Sequence, residues 1–211
     1  MLEYTDICLN VERFQEICRE RHVLLTLATK TIPKETLEKL ATKYDLVYGE
    51  NRVQELTEKY FAGPTWYFIG RLQRNKVKYL VDKVAMICSV DSVELAEEIQ
   101  KRCAAKCKVM PVLVEINLGE AQKGGVEEAA LSALLDEIAV MPNLRLEGLM
   151  AVLPRENAED AAKRAAELYR KAKERYPMTY LSMGMSEDYQ IAIEAGANMI
   201  RLGSAVFGKR S

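Results

Sequence analysis

Hydrophobic positions along the chain fall into short apolar runs separated by longer amphipathic stretches. Runs with the length and composition of buried strands occur at His22–Thr29, Leu46–Glu50, Trp66–Gly70, Met86–Asp91, Val109–Leu118, Leu144–Val152, Tyr180–Gly184 and Met199–Gly203. Helix-like stretches lie between them at Lys34–Tyr44, Arg52–Phe61, Arg74–Asp82, Val93–Ala105, Val126–Met141, Ala158–Arg175 and Glu187–Ala195. In the fourth of these, Leu95, Ala96, Ile99 and Cys103 share one face while Glu97, Glu98 and Lys101 point elsewhere, the period of a half-buried helix. Pro33, Pro111, Pro142 and Pro177 fall mostly at or near boundaries. An amphipathic segment at Ile7–Cys18 predicts one extra helix ahead of the first strand.

About eight strands, each separated from the next by a helix, predict a parallel sheet in an α/β fold. An open doubly wound sheet and a closed (β/α)8 TIM barrel both satisfy that alternation. The strand count favours the barrel, and no G-x-G-x-x-G follows the first strand to support a dinucleotide-binding sheet. Only Ser204–Ser211 remains after the last strand, so the final helix is expected to be missing or very short. The N-terminal helix could cover its place. No linker or shift in composition divides the chain, which reads as one domain over residues 1–211.

Strand parity orients the candidate site. Val23, Leu25 and Leu27 make a large aliphatic face suited to packing under the outer helices. Leu24, Thr26, Ala28 and Lys30 make the opposite face, expected to line the lumen and to deliver Lys30 inward at the C-terminal rim. Met199, Arg201 and Gly203 share a face in the last strand, so Arg201 is expected in the barrel mouth, where such folds place their active sites. A buried arginine between Ile200 and Leu202 needs an acceptor or an anion, and Glu50 is one structural candidate. Two glycine-bearing turns close the sequence, Ser182-Met183-Gly184-Met185-Ser186 and Arg201-Leu202-Gly203-Ser204-Ala205. Glycine lets backbone approach an anion closely, and the loops after strands seven and eight are a frequent phosphate site of this fold. Ser186 is equally an N-cap for the next helix.

Composition narrows the classes of function. Thirty Lys+Arg against 31 Asp+Glu gives a net charge of -1, which argues against a dedicated nucleic-acid binder. No apolar run is long enough to span a membrane, and the N-terminal segment lacks the apolar core of a signal peptide. Five cysteines, Cys8, Cys18, Cys88, Cys103 and Cys107, look like reduced thiols of a cytoplasmic protein. Cys103 and Cys107 share a helical face but have no further ligands nearby, so no metal site is expected. His22, the only histidine, reads as structural at the end of the first strand remote from the site. Trp66 and Tyr67 read as barrel packing, and the cationic Arg71–Lys78 stretch as a solvated face.

Several segments together resemble the pyridoxal-phosphate homeostasis protein family. They are Leu27-Ala28-Thr29-Lys30-Thr31, Tyr48-Gly49-Glu50-Asn51-Arg52-Val53-Gln54-Glu55, Trp66 to Lys76, Gly148-Leu149-Met150-Ala151, Leu181 to Ser186, and Arg201 to Gly208. The resemblance implies the barrel of the alanine racemase N-terminal domain standing alone, with pyridoxal 5′-phosphate (PLP) as a Schiff base on Lys30. It also implies Arg201 facing the pyridine nitrogen, Ser186 with the backbone at Gly203 and Ser204 on the phosphate, and Asn51 beside the ring. Lys123 falls in a loop where the family often carries a lysine. Ile32 stands where many members have a second lysine after the first, and Lys34 is the residue that could substitute for it.

The implied role is PLP homeostasis without established turnover. An arginine at the pyridine nitrogen disfavours ring protonation and weakens the ring as an electron sink. Racemases of this fold draw a second base from a partner's β-domain, and none follows the last strand here, so two-base racemisation is expected to be poor. The expected partners are PLP itself and, beyond it, PLP-dependent apoenzymes or amino acids, with no nucleic acid or membrane and with the chain as a monomer. A minimal PLP-dependent amino-acid racemase is the alternative. A phosphosugar-binding barrel enzyme using Lys30 without PLP is a weaker one.

Overall fold

In a computed structural model, residues 2–119 and 124–208 are described. Eight strands form a closed parallel barrel in chain order: β1 (Leu24–Ala28), β2 (Val47–Glu50), β3 (Thr65–Phe68), β4 (Met86–Val90), β5 (Met110–Ile116), β6 (Leu144–Ala151), β7 (Tyr180–Ser182) and β8 (Met199–Leu202). The expected (β/α)8 barrel is thus the architecture found. Outer helices are α1 (Tyr4–Glu20), α2 (Lys34–Ala41), α3 (Val53–Lys59), α4 (Val93–Ala104), α5 (Glu128–Ala139), α6 (Ala158–Lys173), α7 (Tyr189–Glu194) and α8 (Ser204–Phe207). The helix expected after β3 is a short 3-10 helix, Arg74–Tyr79.

The extra helix α1 buries Ile7, Val11, Phe14 and Cys18, a single stripe at helical spacing. It packs against α8, and Phe14 meets Tyr189 of α7 edge to face at 5.5 Å. The Leu2 N–H and the Asn10 side chain donate to the carbonyls of Phe207 and Val206. A four-residue α8 covers little of β8 and β1, and α1 supplies the missing apolar face. His22 precedes β1 instead of opening it, in an exposed turn with φ +55°.

Two apolar layers result. The outer layer packs Leu25, Leu27, Trp66, Ile200 and Leu202 under the helices. A smaller lumen cluster holds Tyr67, Met86, Cys88, Leu113, Met150 and Met199, with Leu24 and Ala28 against it. Alternation along β1 and β8 therefore runs as the sequence predicts. Strand β6 departs from simple alternation. Leu144 and Leu146 face outward, then Leu149 does, and Met150 enters the lumen. The register against β5 shifts across this point, jumping from Leu146 to Gly148. Gly148 has φ +156°, and a Cβ there would lie 1.8 Å from the Tyr180 carbonyl oxygen, so only glycine fits this irregularity.

Candidate functional site

Strand β1 pairs with β8 through Leu24–Met199, Leu25–Ile200, Thr26–Arg201 and Leu27–Leu202. That register lays the lysine-bearing end of β1 beside the arginine- and glycine-bearing end of β8. Lys30 stands two residues past the end of β1, half-buried, and its side chain has no hydrogen bond or ion pair among the described residues. The residues flanking it are held firmly. The Thr29 N–H donates to the Gly49 carbonyl (2.9 Å), and the Thr29 hydroxyl donates to Glu50 Oε2 (2.8 Å). The Thr31 N–H donates to Glu55 Oε2 (2.8 Å), with Thr31 itself at φ +65°.

Glu50 ends β2 and is completely buried. Its Oε1 accepts the Asn51 N–H at 2.7 Å, which fixes the backbone of the predicted ring-side residue. Asn51 is half-buried, and its carbonyl lies so near Gly70 that a Cβ there would sit 2.0 Å from the oxygen. Asn51 lines a groove between α3 and the 3-10 helix, with Arg52, Arg71 and Lys76.

Arg201 is 4% exposed within the lumen. Its Nη1 donates to the Ser182 carbonyl (2.9 Å) and hydroxyl (2.8 Å), and its Nη2 to the Ala151 carbonyl (2.9 Å). The guanidinium thus ties together the C-terminal ends of β6, β7 and β8. Its hydrogen bonds go to neutral oxygens; Glu50, the carboxylate considered from sequence, is engaged elsewhere. Burial pulls the Arg201 pKa below its ordinary value, against the opposing pull of Cys88, Glu115 and Asp188.

The two closing loops meet at Ser186. Its hydroxyl oxygen accepts the N–H of Ala205 (3.0 Å) and, more weakly, that of Gly203 (3.3 Å). Ser186 is therefore not the N-cap of the next helix, which starts at Tyr189 with Asp188 before it. Two backbone donors converge on one oxygen position beside the end of β1. A Cβ on Gly203 would meet the Ala28 Cβ and carbonyl oxygen at an ordinary 3.5 Å, so packing alone does not demand glycine. Ser204 is exposed next to it.

Parity of Met86 with Cys88, and of Leu113 with Glu115, could have revealed two further lumen groups. Burial pushes the Cys88 thiol up to about 12. Glu115 is raised by burial and by nearby Asp91, against the lowering pull of Arg201 and Arg71. Thr26 Oγ1, one layer below, is a buried hydroxyl without a partner. Ile32 is buried in the outer core, and Lys34 engages the Tyr60 carbonyl and Glu38. Lys123 lies outside the described residues. No metal-binding cluster occurs among the described residues.

Residues 10–211 match the family model described as the N-terminal domain of alanine racemase. A pyridoxal phosphate homeostasis protein of Aquifex aeolicus is 43% identical over 216 aligned positions, covering 95% of each chain. This chain belongs to the pyridoxal phosphate homeostasis protein family. A Vibrio cholerae protein of the same name is 36% identical over 97% of this chain and 93% of its own. Among solved structures, PipY of Synechococcus elongatus with PLP bound matches at a TM-score of 0.81 and 28% identity. The match covers 94% of this chain and all of that one.

Proposed function

We propose that this family member binds PLP at the C-terminal mouth of the barrel and serves PLP homeostasis as a carrier, without turnover of its own. The observation that carries this reading is the β1–β8 pairing, which gathers the Lys30, Arg201 and Gly203 positions at one rim. PipY, which resembles this chain over nearly its full length, has been solved with PLP bound.

The residues present fit the cofactor. Gly203 and Ala205 N–H groups already converge on the Ser186 oxygen, a geometry that suits an anionic phosphate oxygen with Ser186 as an added donor. A Cβ at residue 203 would fill space beside Ala28 that glycine leaves open. When bound, PLP supplies an aldehyde that condenses reversibly with an amine. Lys30 is our choice for that amine, because its half-buried side chain is committed to no other group among the described residues. Arg201 would face the pyridine nitrogen, already oriented by Ser182 and Ala151, and its fixed charge would keep that nitrogen unprotonated. Asn51 would sit beside the ring, and Ser204 would add a backbone donor to the phosphate.

A carrier needs reversible capture without a proton relay across the captured group. We further read the chain as one domain, monomeric and cytoplasmic. The five thiols are free, and no helix among the described residues is long and apolar enough to cross a membrane.

One experiment tests capture and turnover together. Purified protein mixed with PLP should gain a visible band that borohydride fixes onto Lys30, as located by peptide mapping, and Lys30→Ala should lose that attachment. Incubation of the loaded protein with single-enantiomer amino acids in deuterated water should leave them unexchanged. Exchange or racemisation abolished by Lys30→Ala would replace the carrier by a minimal racemase, and a colourless protein would sink PLP binding at this site.

A further inference from the structure

Lys30 lies beyond the last ladder hydrogen bond of β1, so the sheet does not fix its backbone. Thr31, next to it, holds a left-handed conformation at φ +65°, rare for a β-branched residue. Such a conformation persists only where surrounding contacts over-determine it. The Ile32 N–H closes the turn onto the Thr29 carbonyl (2.9 Å), and an ionic chain reaching in from two other elements adds further contacts to the same turn.

Lys59, in the last turn of α3, is 11% exposed at its side chain. Its ammonium donates to the Thr29 carbonyl (2.9 Å), Glu50 Oε2 (3.2 Å) and Glu55 Oε2 (2.7 Å). An ammonium has three donors, and all three are used. Glu55, one helical turn before Lys59, accepts the Thr31 N–H with the same oxygen that takes the Lys59 bond. Glu50 Oε2 accepts the Thr29 hydroxyl and Lys59, while its Oε1 accepts the N–H groups of Asn51 (2.7 Å) and, more weakly, Arg52 (3.4 Å).

The contacts grip residues 29 and 31 and skip 30. The Lys30 backbone is braced on both sides while its side chain stays uncommitted. The same buried carboxylate holds the Asn51 backbone, so one brace sets the spacing between the two loops. Lys59 itself, saturated and paired with two carboxylates, is a strut.

We propose that Lys59, together with Glu50 and Glu55, is a positioning residue that fixes the Thr29–Lys30–Thr31 turn and so aims the Lys30 amine into the barrel mouth. The proposal rests on the reading of Lys30 as the PLP-binding lysine for its purpose, and on the hydrogen bonds alone for its geometry.

The test uses full-length Lys59→Met and Glu55→Ala, the second removing the Thr31 acceptor while leaving the buried Lys59–Glu50 pair in place should the first fail to fold. In ligand-free protein, amide hydrogen exchange at Thr31 should rise at least tenfold in either variant, with β5 and β6 unchanged. With PLP added, the loaded variants should show at least tenfold weaker binding, and the pH midpoint of their visible band should move from that of the wild type. A folded variant with unaltered Thr31 exchange overturns the clamp. Faster exchange with unaltered affinity and pH midpoint overturns its role in aiming Lys30. A wild type that takes up no PLP refutes the reading of Lys30 and with it the aiming role, while Thr31 exchange in the ligand-free variants still decides the clamp.

Discussion

The Ser186 hydroxyl oxygen accepts the Ala205 N–H at 3.0 Å and so joins the loop after β7 to the loop after β8. Replacing it separates two effects, because the same oxygen braces the two loops and would share the phosphate.

Ser186→Ala should lower stability by about 1 kcal/mol, as the N–H groups of Gly203 and Ala205 lose their acceptor. PLP affinity should fall roughly tenfold, the loss of about one charge-assisted hydrogen bond. Pyridoxal, which lacks the phosphate, should bind wild type and variant alike. Calorimetric titration with both compounds makes the comparison, and an equal loss for both would remove Ser186 from the phosphate site.

Arg201 holds three acceptors on two neighbouring strands. Arg201→Met should destabilise the protein by roughly 2–4 kcal/mol, since it leaves the buried Ser182 and Ala151 carbonyls unpaired. Urea unfolding followed by circular dichroism reads this directly. Arg201→Glu should also shift the visible band of the loaded protein by favouring ring protonation. An unchanged spectrum would make Arg201 purely structural.

Glu55 gives the protein an acid-side dependence. Partial burial raises its carboxyl, but hydrogen bonds from Lys59 and the Thr31 N–H, with the charges of Lys59 and Arg52, outweigh this and hold it below the ordinary range. A carboxyl lowered on folding contributes stability above its unfolded pKa and forfeits it as pH falls through the folded value. The urea midpoint should therefore decline as pH drops below about 5. Glu55→Gln should decline less over that window, and parallel curves would show that Glu55 is not linked to folding.

Glu115 has the opposite sign. Its raised carboxyl favours the protonated form in the folded state, so its contribution is full below the unfolded pKa and is lost as pH rises towards the folded one. Glu115→Gln should consequently melt at a higher temperature than wild type near pH 8, with the gap closing near pH 4. Scanning calorimetry at both values distinguishes this from a uniform shift.

Thiol titration should be selective. Cys107 is exposed, whereas Cys8, Cys18, Cys88 and Cys103 are buried, and burial pushes Cys18 up to about 11 and Cys88 to about 12. Only thiolates react quickly. One equivalent of a thiol reagent should react with the native protein at pH 8 and five after denaturation. Prompt loss of a second thiol would show that the lumen or the α1 face opens readily.

The barrel was legible because a period of two, a period of 3.6 and their alternation survive in a single sequence. Parity predicted the lumen faces of β1 and β8, where Leu24, Ala28, Met199 and Arg201 lie inside. Parity failed to predict β6, where the irregularity at Gly148 re-phases the strand and the isolated glycine is the one local signal of it. The pairing of Glu50 was also misread. It is engaged by Thr29 and Lys59, and which cation reaches a buried carboxylate depends on how helix and loop pack. Glu55 and Lys59 stand at i, i+4 on α3, but the reach of the pair to Thr29 and Thr31 belongs to tertiary structure. Ser186 carries two competing readings in the sequence, and the structure removes the helix cap, because α7 begins at Tyr189 behind Asp188.

The seam between β1 and β8 joins the first strand of the chain to its last. On a ribosome, the N-terminal strand emerges long before its neighbour exists, and the ring stays open with two unsatisfied edges until β8 is released. Contacts of such high sequence separation form late in folding. Lys30 is synthesised well before the Gly203 loop that stands beside β1. A half-made chain therefore displays the lysine without its surroundings, and the candidate site matures only once β8 and the loop after it have followed.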